Sequence, residues 1–431
     1  LHVFNLKIHY VFLEKICYAL IGIVEKQWRL MKRVVLIHHP NTRYGVLSCM
    51  TSDLHKALCR KGIDATICEW KSADDLVAYV RETKPDCTWS FNVMLEPELC
   101  FHPFGVPHVY VSVDAITYCH PCIAELPHLV CLFVDSSSVA LYNQESAYTS
   151  YWFPHAISQE VLEERREQVP FEDRPYDVTL LGSYIPYEKE LEFWKAAFPS
   201  EVVAAFLELS EKCLSDGNFM FLQEMSAFFL THPELVYTIK TLGLFPHNVA
   251  NSVERYIRGK DRERLLKTLE GHNIHIFTDE QDICHWAAMP YLHNATFHTA
   301  VPFDRVAQVC SQSKIILNSV PTIRKGYHER LFLALASEAV VVTSPVDLPS
   351  WLGDEGYVVK YDAESCSTLE QRISSALKFP KNFKKIRNWL LQHHTWDARL
   401  SSHLPSIEAD VIARHAAWET NRFWTLLSHT S

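Results

Sequence analysis

SKIILNSVPTIRKGYHERLFLALASEAVVVTS, residues 313–344, reads as strand, polar loop, helix, strand. Ile315 to Leu317 is a short apolar run, and Pro321 to Tyr327 holds Pro, Thr, Arg, Lys and Gly, which is loop chemistry. Leu331, Leu335 and the alanines at 334 and 336 fall at helical spacing. Ala339 to Val342 is a buried-strand run ending in Thr343-Ser344. A basic, glycine-containing loop that opens a helix beside parallel strands suits an anion. Backbone N–H groups, the helix dipole and the cations Arg324, Lys325 and Arg330 would converge there. A diphosphate is the ligand such a loop suggests, and solvated surface cations are the plainer reading.

The chain around this stretch has 431 residues, enough for two or three domains, and 48% of them are apolar. A net charge of −10 argues against non-specific nucleic-acid binding as its main task. The 13 cysteines are scattered, odd in number and mostly inside apolar runs, as with Cys59, Cys68, Cys131 and Cys310. That pattern fits reduced core thiols in a cytoplasm. Cys119-His120-Pro121-Cys122 is a lone CxxC without a second half, a weak metal or redox signal. No metal motif is found, and no cofactor is expected.

Residues 1–30 read as an N-terminal extension. Ile8 to Val24 is apolar but broken by His9, Glu14 and Lys15, which suits neither a membrane span nor a signal peptide. Met31 leads into the first strand and is expected to be the natural start; an interfacial helix is the alternative. At most peripheral association with the inner face of a membrane is expected. From residue 34, strands and helices alternate regularly, which predicts a parallel doubly wound sheet over 31–170. Ligands bind such sheets at the carboxyl ends of the strands. The loops there are 38–43, Asn92, Asp114 and Asp135-Ser136-Ser137-Ser138, for which capping or turn roles are the plainer reading.

The charged, proline-bearing segment 160–175 reads as a linker. A second alternating unit spans 171–403. It opens with a strand that ends in Gly182-Ser183, where glycine permits close backbone approach to a ligand. It is interrupted by a helical insertion over about 188–270. Residues 404–431 form a last helix. Ile407, Val411, Ile412, Ala416, Trp418 and Trp424 give it an apolar face, expected to cross back onto the first domain and to leave the cleft free to hinge.

Tyr176-Asp177-Val178 with Leu181-Gly182-Ser183-Tyr184, Ser313-Lys314-Ile315 with Leu317-Asn318, Gly326-Tyr327-His328-Glu329-Arg330-Leu331-Phe332 with Ala334-Leu335-Ala336-Ser337, and His393-His394-Thr395-Trp396 with Arg399 carry a family resemblance. Over about 175–400 the chain resembles the CgeB-like (spore-maturation type) glycosyltransferases. The resemblance implies the α/β GT-B fold, two Rossmann-like domains facing across a cleft. It implies a UDP- or GDP-linked sugar donor on the C-terminal domain and an acceptor on the N-terminal one. Donor contacts would come from Gly182, Ser183, Asn318, Arg324, Lys325, Gly326, His328, Glu329, Arg330 and Ser344. The wider retaining GT-B group has a loop glutamate before the glycine turn and a helix glutamate on the donor ribose. Lys325 and Leu333 stand in those places, and Glu338 stands where the family usually has glycine. Glu329 or Glu338 would substitute as the ribose ligand, or the donor would be held differently.

Glycosyl transfer requires charge stabilisation at the departing diphosphate and a group that deprotonates or orients the acceptor hydroxyl. The arginines and lysine above would serve the first, without a metal. His38, Asp114 and His155, at strand ends of the N-terminal domain, are the candidates for the second. The acceptor is open: a glycan, a lipid-linked glycan or a protein. A catalytically degenerate homologue that only binds nucleotide or a partner, and a nucleotide-sugar 2-epimerase, are the alternative readings.

Overall fold

The computed structural model describes residues 31–38, 42–114, 126–163, 169–362, 365–378 and 382–428. The expected N-terminal extension and the CxxC at 119–122 lie outside them. The first domain runs β1 (Arg33–Ile37), α1 (Val46–Arg60), β2 (Asp64–Cys68), α2 (Ala73–Thr83), β3 (Cys87–Phe91), α3 (Pro97–Phe104), β4 (His108–Ser112), β5 (Leu129–Phe133), α4 (Ser136–Glu145) and β6 (Ser150–Trp152). Its six strands lie in the order β2-β1-β3-β4-β5-β6, all parallel. Apolar residues on both faces of β1 and β3 to β5 bury these strands between helices, as parallel sheets require.

A short helix, α5 (Gln159–Glu163), leads to the second domain and its first strand, β7 (Tyr176–Leu181). The helical insertion follows as α6 (Tyr187–Ala197), α7 (Ser200–Ser215), α8 (Phe221–Thr231), α9 (Pro233–Thr241) and α10 (Pro246–Thr268). Then come β8 (Ile274–Thr278), α11 (Glu280–Ala287), β9 (Thr296–Thr299), α12 (Val306–Ser311), β10 (Ser313–Asn318), α13 (Glu329–Ala336), β11 (Val340–Thr343), α14 (Ser350–Asp354), β12 (Val358–Lys360), α15 (Leu369–Lys378) and α16 (Phe383–His393). The sheet order is β12-β11-β10-β7-β8-β9, again all parallel. Strand order reverses between β7 and β10, so the crevice outside Gly182 and Asn318 is where a ligand is expected.

The last helix, α17 (Trp396–Ser428), starts earlier than its sequence suggests and runs through Pro405. Trp396, Leu400, Ile407 and Val411 are buried in the core of the first domain with Val34, Leu36 and Trp89. Trp418 donates its indole N–H to the His102 carbonyl, and its ring lies over Gly105, where a β-carbon would sit 2.4 Å from it. The side chain of Trp424 lies outside what the structure describes.

The insertion corrects the expectation of a free hinge. Its Trp194, Phe206, Phe221, Leu222 and Met225 share one apolar core with Tyr110, Phe133, Leu141 and Tyr142 of the first domain. Each such side chain contributes about 1.5–3 kcal/mol on burial. The insertion therefore pins the two sheets together along one side.

Candidate active site

Gly259 is the residue that builds the site. It sits inside α10, and a β-carbon there would come within 2.8 Å of Tyr187 and 2.9 Å of the Ile185 carbonyl. Its absence lets α10 lie against the loop after β7. Arg262 is thereby brought to Gly182, with Arg258 four residues earlier on the same helix face and close enough to crowd it. The Arg262 guanidinium lies over Gly182, 3.5 Å from where a β-carbon would be, and donates to the Ser183 carbonyl. Arg330, on the first turn of α13, faces the same space. Among the described residues no carboxylate forms an ion pair with any of the three. Burial, then crowding by Arg258 and Arg330, pushes the Arg262 pKa down to about 9, and burial lowers that of Arg330. Guanidinium groups stay charged in proteins. Desolvation and like charge both disfavour these cations, and a bound anion would offset that.

His328 caps α13, its Nδ1 accepting the Arg330 N–H at 3.4 Å. Burial and the neighbouring arginines hold it well below the usual histidine range, so it is neutral. Glu329 is buried between two imidazoles. Its Oε2 lies 3.2 Å from His328 Nδ1 and 3.5 Å from His155 Nδ1. His155 crosses from the first domain, and its Nε2 meets the Val113 carbonyl at 3.1 Å. Arg399 fixes this strand end, donating to the carbonyls of Pro154 (3.1 Å) and His155 (3.2 Å) and to His394 Nδ1 (2.8 Å). The histidine–threonine–tryptophan close of the sequence is thus a staple at the domain crossing. Glu329 and Arg330 line a small cavity with Gly182, Leu181, Phe277, Phe303 and Leu333.

Other expected residues are spent elsewhere. Arg324 is buried and donates to the carbonyls of Pro345 (3.1 Å) and Cys213 (2.6 Å), so it braces the loop against the insertion. Lys325 lies 3.5 Å from Asp347 at the surface. Gly326 serves the domain contact: it bridges Asp135, and a β-carbon there would meet the Val134 carbonyl at 2.3 Å. Asp135 caps α4 through Ser137 N–H and accepts from Lys325 N–H at 3.2 Å. Asn318 donates through Nδ2 to the Thr343 hydroxyl at 3.1 Å while its buried Oδ1 meets no donor among the described residues, and Ser344 accepts from Val320 N–H at 2.9 Å. His38 meets Ser48 at 2.8 Å. Asp114 is exposed and accepts from Asn92 at 2.7 Å. Of the three catalytic candidates, geometry brings His155 alone to the arginine cluster.

Glu338 lies apart from the arginine cluster. It follows the far end of α13 and lines a different cavity, with Phe383, Lys384 and Arg387. Its φ is +62°, which explains why glycine suits this position.

Residues 260–404 match the family model described as glycosyl transferase-like. No curated protein matches the sequence. Among solved structures, AviGT4, a glycosyltransferase involved in avilamycin A biosynthesis, superposes with a TM-score of 0.53 at 10% identity, over 89% of this chain and 98% of that one. The fold is GT-B. An α-glucosyltransferase in complex with UDP and DNA aligns over 89% of this chain and all of its own, at 10% identity and a TM-score of 0.48. The MurG of Acinetobacter baumannii aligns over 89% and 99% at 12% identity and 0.33. In this GT-B chain the matched segment begins inside α10, next to Arg262, and carries Glu329 and Arg330.

Proposed function

We propose that this protein is a glycosyltransferase that takes a sugar from a nucleotide-diphosphate donor, in the manner of the CgeB-like group. The observation that carries this reading is the arginine cluster Arg258, Arg262 and Arg330 at the strand-order reversal beside the first turn of α13. Three preorganised cations and the helix N-terminus meet the charge that grows on a departing diphosphate. They supply positive charge without calling for a metal ion. Leu333 leaves the ribose position apolar.

Glu329 lines the cavity and is the carboxylate placed to face the reacting carbon or the acceptor hydroxyl. His155 and His328 are positioning residues that hold it. The acceptor is a hydroxyl compound admitted from the first-domain side: a glycan, a lipid-linked glycan or a protein. No described helix is long and apolar enough to cross a membrane. The test is calorimetric titration with UDP, GDP and other nucleoside diphosphates, followed by donor-hydrolysis assays. Micromolar binding with slow hydrolysis supports transfer. Binding without any turnover would make this a nucleotide-binding homologue. Failure of every nucleotide to bind would sink the reading.

A further inference from the structure

The loop before α1 reaches across the cleft into the space just described. Tyr44 and Val46 of the first domain line the same cavity as Gly182, Glu329 and Arg330. The Tyr44 hydroxyl donates to the Asp279 carboxylate at the head of α11. The Arg43 guanidinium pairs with that same carboxylate and lies 3.9 Å from Asp282 Oδ2. Asp282 in turn accepts the Tyr184 N–H at 3.0 Å, next to the Gly182-Ser183 turn. Two side chains of one domain are thus seated on two carboxylates at the strand ends of the other.

The seat is strained. Tyr44 has φ of +57° and Gly45 +71°. Left-handed backbone comes at no steric cost to glycine, but a bulky aromatic residue adopts it only when its contacts hold it there. With Tyr44 in place the cavity measures about 100 Å3. Sites that enclose a ligand of nucleotide size run to roughly 300–1,000 Å3. The loop and a donor therefore compete for one space. Because the insertion pins the domains, relief comes from a local swing of residues 42–45 rather than from opening of the whole cleft.

We propose that Arg43 and Tyr44 form an autoinhibitory latch that fills the donor pocket and must leave Asp279 before a nucleotide-diphosphate sugar can enter. The proposal rests on the donor-site reading above. A protein whose competent state is a minor fraction binds its ligand more weakly by that fraction. Removing the latch therefore tightens binding.

The test compares the full chain with Arg43→Ala, Tyr44→Ala and the conservative Tyr44→Phe by calorimetric titration with UDP and GDP. It also follows hydrogen exchange of residues 42–50 and 279–287 without nucleotide. The expected result is binding tighter by roughly three- to tenfold in the alanine variants, a smaller gain in Tyr44→Phe, and faster exchange in both segments. Weaker or unchanged nucleotide binding overturns the latch, since Tyr44 would then be a donor contact or a bystander. Unchanged exchange with nucleotide binding intact also overturns the latch alone. Absence of binding to parent and variants alike overturns the donor-site reading, and the latch with it.

Discussion

Glu329 of the second domain faces His155 of the first, with 3.5 Å between Oε2 and Nδ1. The opposite ring nitrogen of His155 meets a carbonyl, which can only accept, so Nε2 carries the hydrogen. His328 Nδ1 accepts the Arg330 N–H, so its lone pair is already engaged and its ring flanks Glu329 from the second domain. Glu329→Gln and His155→Gln should lower donor turnover by about 10²–10⁴-fold. Nucleoside diphosphate affinity should change little, because the arginines remain. Steady-state rates beside calorimetric titration check both; an equal loss in affinity would make Glu329 a donor ligand instead.

Arg330→Gln and Arg262→Gln should each weaken nucleoside diphosphate binding by about ten- to a hundredfold, the loss of a charge-assisted bond of roughly 1.5–3 kcal/mol. Neither should lower the melting temperature by more than a few degrees, because each removes a cation, buried Arg262 or half-buried Arg330, from a like-charged cluster. A variant that binds normally removes its arginine from the site.

Arg324→Ala should behave in the opposite way. It leaves the carbonyls of Cys213 and Pro345 without their donor, and the fold should lose about 2–4 kcal/mol. Lys325→Ala should be nearly silent, since its exposed pair with Asp347 contributes at most about 1 kcal/mol. Denaturant unfolding of the two variants separates a brace from a surface charge.

Glu338→Gly should stabilise the protein by about 1 kcal/mol, the relief of a left-handed residue bearing a β-carbon less the extra freedom of glycine in the unfolded chain. A melting temperature at or below that of the parent would show that the Glu338 side chain holds something worth more.

Burial pushes His108 down to about 3, with its Nε2 2.9 Å from the Val93 carbonyl and its Nδ1 2.8 Å from Thr88. Its ordinary value is about 6.5. Between these values the unfolded chain binds a proton that the folded one does not. Stability is therefore fully present above about pH 6.5 and falls as pH drops toward 3. His394, likewise buried and depressed, adds to the same slope. Urea midpoints measured from pH 8 to pH 4 should fall steadily below 6.5, and less steeply in His108→Gln.

The two sheets were legible because β1, β5, β10 and β11 carry apolar runs bounded by turn chemistry. The edge strand β9 was not, since Thr296-Phe297-His298-Thr299 has little apolar content and pairs on one side. Within the 313–344 stretch, sequence could not separate Arg324 from Arg330. Both are cations near one glycine, and only the path of the loop turns one toward carbonyls and the other toward the cavity. Nothing in the charge pattern of α10 singles out Arg258 and Arg262 among its many charged residues. The available signal was Gly259: a glycine in a helix interior is unfavourable by about 1 kcal/mol against alanine and so marks a close contact.

The apolar core shared by the insertion and the first domain bears on how the molecule comes apart. Phe133 and Tyr142 on one side and Phe221 and Met225 on the other have no dry surface to return to once separated. Neither half is then a self-sufficient unit, although each has a complete sheet. Cutting the chain ahead of β7 and expressing the pieces apart would leave each with an uncovered aromatic face and a tendency to aggregate. The intact chain should instead melt in a single cooperative transition.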